Sequence, residues 1–65
     1  MNNDTKHKLR VLTGLRLQRQ KYCEKLAEVE LFQSHYTQID YMRKVMGLNR
    51  LIDRIDQTII EMESE

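Results

Sequence analysis

Apolar residues in the second half of the chain recur at alternating intervals of four and three: Tyr41, Val45, Leu48, Ile52, Ile55, Ile59 and Met62. At about 100° per residue these positions share one face of an α-helix, the spacing of a helix that buries a single ridge. The first half carries a complementary run, Leu12, Leu15, Arg19, Tyr22, Leu26 and Val29, with Val11 beside it and Leu9, Cys23, Ala27 and Leu31 widening its other side. This face is broader and includes one charge, Arg19.

The phase of the two runs decides between one long helix and two. Continued past Gln33 and Tyr36, the first run lands on Asp40, Arg43, Gly47, Arg50 and Arg54, so the second is displaced by one residue, about 100° around a helix. A break is therefore expected within residues 33 to 37, where Ser34 or Thr37 can cap a helix and Thr37 with Asp40 forms a capping-box-like start. Folding back there pairs Val29 with Tyr41, Leu26 with Val45, Tyr22 with Leu48, Arg19 with Ile52, Leu15 with Ile55 and Leu12 with Ile59. Nearly every rung is apolar on both sides. The predicted fold is all-α: an antiparallel two-helix hairpin occupying residues 1 to 65 as one domain, with helices over about 6–33 and 37–63 and a loop over about 34–37.

Gly47 is the main irregularity, costing up to about 1 kcal/mol inside a helix. After Arg43 and Lys44 it could also end a helix, but the apolar ridge passes through it in phase, which favours continuity. Gly14, after Thr13, marks a kink or a frayed first turn.

Size adds a requirement that the pattern does not meet alone. A 65-residue chain buries little surface, and such domains usually need disulfides, metal or oligomerisation. The lone Cys23 cannot form an internal disulfide, and His7 and His35 are far apart with no metal-ligand spacing, so no metal or cofactor is expected. A homodimer is expected instead, two hairpins burying the flanking Leu9, Cys23, Ala27, Leu31 and Leu51 in a four-helix bundle. Such an arrangement is similar to that of small hairpin-dimer plasmid regulators, in architecture alone. Arg19, central in the first run, would be a buried charge unless paired with Asp53 or Asp56 across the seam.

Composition is 40% hydrophobic and 32% charged with no proline, as in helices laced with surface charge. The polar start and the shortness of every apolar run predict neither a signal segment nor a membrane span, and a cytoplasmic location. The net charge of +1 is unevenly placed: residues 1 to 33 carry seven Lys/Arg against four Asp/Glu, and residues 34 to 65 carry four against six. Opposite halves favour lying side by side.

No Gly-rich phosphate loop, activated nucleophile or isolated carboxylate pair is present, so no catalytic residue is expected. The residues not needed for the hairpin's own seam, chiefly Leu17, Leu31, Phe32, Met42 and Met46, are candidates for docking a protein partner, since flexible Met-rich patches suit that role. The expected function is that of a non-enzymatic regulatory, adaptor or chaperone-like protein that self-associates. The competing expectation is a nucleic-acid-binding regulator that uses the basic first helix through Lys6, Lys8, Arg10, Arg16, Lys21 and Lys25. Against it, Lys21 and Lys25 have Glu24 and Glu28 at ion-pair spacing. Residues 37 to 56, opening on Thr37-Gln38 and closing on Ile52 and Ile55, also resemble a repressor-type helix-turn-helix. They depart from it at Met42, where a small residue normally stands, and at Met46, where the turn normally has glycine; Gly47 comes one residue late. That resemblance implies a turn at Gly47.

Overall fold

A computed structural model describes residues 3 to 64. Helix α1 spans Asn3–Leu31, a short 3₁₀ turn spans Gln33–His35, and helix α2 spans Gln38–Glu63; the two helices pack against each other as an antiparallel hairpin. The first helix begins about three residues earlier and ends two residues earlier than the periodicity suggests. Met1, Asn2 and Glu65 of the expected single domain lie outside the described residues.

The reversal is made without glycine, proline or positive φ. The amide of Phe32 still donates to the Glu28 carbonyl at 3.0 Å, after which the chain tightens: His35 N–H reaches Phe32 O at 2.9 Å and Tyr36 N–H reaches Gln33 O at 3.1 Å. Tyr36 and Thr37 are then extended, with ψ of 149° and 161°. Phe32 and His35 stack across the tight turn, ring centroids 5.5 Å apart and 14° from parallel. Thr37 caps α2, its Oγ1 accepting from the Asp40 amide at 3.1 Å. This satisfies one of the amides that a helix start leaves without a partner.

Beyond the cap, α2 is unbroken through Gly47, and α1 is unbroken through Gly14. The alternative in which Gly47 ends a helix is thereby corrected, and with it the helix-turn-helix, whose turn would fall inside α2. The physical reason is the ridge itself: Leu48, Ile52, Ile55 and Ile59 are buried, and a turn at Gly47 would swing them away from α1. A Cβ added at either glycine would meet nothing within 4 Å, so the fold of a single chain requires neither.

The core is one layer deep. Leu12, Ile55 and Ile59 form its buried cluster, with Leu15, Tyr22 and Met62 packed against them; Val29, 1% exposed, closes the seam towards the turn. The molecule is a rod of 52 × 16 × 10 Å with a radius of gyration of 15.3 Å. A compact domain of this length has a radius of gyration of about 11 Å. Its accessible surface of 5477 Å² exceeds by about 1,000 Å² what a globular monomer of 7.9 kDa exposes.

Two substitutions in α2 should move stability in opposite directions. Gly47→Ala gains helix propensity with no steric conflict and should stabilise by about 0.5–1 kcal/mol, whereas Thr37→Ala loses the cap and should cost about 1 kcal/mol. Thermal unfolding followed by circular dichroism measures both.

Candidate interaction surface

The seam consumes one stripe of each helix. All thirteen residues of the two runs are buried or half-buried, with Leu15, Arg19, Tyr22, Leu26, Tyr41, Val45 and Met62 in the half-buried group. What remains outside is unusually oily: Leu9, Leu17, Leu31, Phe32, Ile39, Met42, Met46, Leu51 and Ile60 are exposed, Leu31 to 78%.

Two bonds that cross between the helices show how these residues are distributed. Arg19 Nε donates to Asp56 Oδ1 at 2.6 Å, and Arg16 donates through Nη2 to Glu63 Oε2 at 3.2 Å. Both lie on the same side of the seam, and by helical phase that side carries a second stripe on each helix. On α1 it runs Leu9, Thr13, Arg16, Gln20, Cys23, Ala27 and Leu31. On α2 it runs Ile39, Met42, Met46, Asn49, Asp53, Asp56 and Ile60. Each stripe is apolar at its two ends and polar in the middle.

Of the expected partner-docking residues, Leu31, Met42 and Met46 thus share this face at the turn end of the hairpin. Leu17 points away on the outer side of α1, and Phe32 has left the helix to stack on His35. Ile39 and Ile60 belong to the face but escape a search for apolar runs. The signal that finds them is their distance from Met46, one and two heptads, with Asp53 interrupting the series.

Arg19 is not the buried charge that its place in the run suggests. Its side chain remains 43% exposed and that of Asp56 39%, because the guanidinium reaches past the ridge to the flank of α2. The hydrogen bond that Arg19 donates to Asp56, and then the negative charge of Asp56, raise the pKa of Arg19 above its ordinary value. Arg19 Nη1 also donates to Cys23 Sγ at 3.6 Å, which places the free thiol, half-buried, beside the pair.

Among the described residues these two are the ion pairs found, so Lys21 and Lys25 do not pair with Glu24 and Glu28; Glu24 accepts instead from Gln20 at 3.2 Å. Of the six basic candidates for nucleic-acid contact, Arg16 is tied to Glu63, Lys8 is half-buried, and Lys6, Arg10, Lys21 and Lys25 are exposed. Lys21 and Lys25 lie on the side of the seam opposite the second stripe, as do Lys44 and Arg54 of α2.

The surface depressions are open troughs, one at the turn between Leu31, Tyr36 and Tyr41 and another beside Gly14, Gln18 and Tyr22. Among the described residues no group of three or more His, Cys, Asp or Glu is placed to hold a metal ion, and no helix is long and apolar enough to cross a membrane. No protein-family model matches the chain, and neither a curated protein nor a solved structure matches it.

If the Arg19–Asp56 bond fixes helix register, Arg19→Leu and Asp56→Asn should each lower the unfolding midpoint. The double variant should then cost little more than the larger single change, the signature of one shared interaction. Additive losses in denaturant unfolding would show that the two side chains act independently.

Proposed function

We propose that the chain is a non-enzymatic helical-hairpin module, regulatory, adaptor or chaperone-like in role, that acts by self-association and by docking another protein through helical surfaces. One observation carries this reading: the seam uses a single stripe of each helix and leaves a second stripe with exposed apolar ends on the same face of the rod. Large apolar side chains grouped on one face mark association surfaces rather than ordinary solvated ones.

A thin core points the same way. A hairpin one layer deep has little buried area with which to offset the loss of chain entropy, so its folding should be coupled to association. The thermal midpoint should then rise by several degrees as the concentration is raised a hundredfold, with sedimentation showing a dimer at the upper end. A folded monomer whose melting is independent of concentration would remove the self-association reading.

A second reading is favoured by one specific feature, the unpaired Lys21, Lys25, Lys44 and Arg54 on the opposite face, to which both helices contribute. Such a face suits the phosphates of a nucleic acid. If it binds RNA or DNA, the affinity should fall steeply between low and moderate salt; no binding to either at low salt would remove this alternative.

A further inference from the structure

We infer that the face bearing the second stripes is covered by a second copy of this chain, packed with both turns at the same end, so that α1 of each copy lies on α2 of the other. This rests on the self-association reading above and specifies its surface, partner and orientation.

The argument is one of register. In a hairpin whose helices end at Leu31 and begin again at Gln38, residues at the same level have numbers that sum to about 69. A two-fold axis along the rod keeps levels and exchanges helices, so each second-stripe residue of α1 meets the partner's α2 residue at its own level. Leu9 then meets the partner's Ile60, Ala27 its Met42 and Leu31 its Ile39, all apolar on apolar. In the middle, Arg16 meets the partner's Asp53 and Gln20 its Asn49, cation on anion and amide on amide. These contacts complement one another in size, polarity and charge.

The opposite orientation, with turns at opposite ends, stacks α1 on α1 and α2 on α2. With the two rods overlaid end to end it keeps Met42 on the partner's Ile60 and Leu9 on its Ala27, but sets Met46 against the partner's Asp56 and Ile39 against its Glu63. Carboxylates covered by methionine and isoleucine count against it. Area agrees with a second copy as occupant: each chain exposes about 1,000 Å² beyond a compact monomer of its mass, close to the roughly 800 Å² per partner of a standard interface.

Sedimentation equilibrium of the full chain and three sets of variants tests this. Met42→Glu should weaken the dimer about tenfold or more, while Leu17→Glu, on the outer side of α1, should leave it unchanged. Because Met42→Glu could also unfold a chain that folds only as a dimer, a charge exchange provides the second arm. Asp53→Arg should weaken association, and adding Arg16→Glu together with Glu63→Arg, which keeps the Arg16–Glu63 bridge with its charges reversed, should restore it. For orientation, the triple variant Cys23→Ser, Ala27→Cys, Met42→Cys should form a covalent dimer on mild oxidation. A covalent dimer formed instead by Cys23→Ser, Leu9→Cys, Ala27→Cys would overturn the orientation. A wild-type dimer indifferent to Met42→Glu and Asp53→Arg would sink this face while leaving self-association standing. A wild-type monomer at high concentration would sink both.

Discussion

Burial of the isoleucine ridge of α2 against α1 is the interaction on which the rest of this molecule depends. Leu48, Ile52, Ile55 and Ile59 have no other shelter in a two-helix chain, so the reversal, the cap at Thr37 and the continuity of α2 through Gly47 all serve to keep that ridge on its partner. Helix propensity alone would not hold it, since isolated helices are marginal in water and helices in folded proteins owe most of their stability to packing of an apolar face. The consequence is an economical but incomplete structure. One side of each helix is dry, and the remainder stands in solvent as a rod.

The incompleteness is organised. The cross-helix bonds Arg19–Asp56 and Arg16–Glu63 sit on one side of the seam and fix which flanks of the two helices share a face. That face is oily at both ends and polar in the middle. In the proposed dimer, polar positions within an apolar surface lower stability and raise selectivity, because sliding the second copy along the rod strands them against aliphatic groups. The opposite side carries Lys21, Lys25, Lys44 and Arg54, so the two broad sides of the hairpin differ in chemical character despite a net charge of only +1.

Periodicity was enough to read the two ridges, their phase shift and the cap, because each is a repeated or local signal. The turn was harder: it contains neither glycine nor proline, and its geometry comes from a 3₁₀ turn and the stacking of Phe32 on His35, which no spacing rule announces. Arg19 was legible as a cross-helix partner of an aspartate but not in its exposure, since a long side chain at a seam position can carry its charge out to the flank. The second stripe was hidden by its own polarity. With Thr13, Gln20, Asn49 and Asp53 at its centre, it does not look apolar until the fold sets Leu9, Ala27 and Leu31 of α1 and Ile39, Met42 and Ile60 of α2 on a common side of the seam.

The placement of the buried cluster has its own dynamic meaning. A hairpin ordinarily unzips from its free pole, where the two strands of chain are not joined, and is held longest near the connection. Here Leu12, Ile55, Ile59 and Met62, together with the Arg16–Glu63 bridge, gather in the half away from the turn. They act as a clasp on the pole that would otherwise fray first, so that opening is resisted at both ends of the rod and the two helices separate as a unit rather than by progressive peeling.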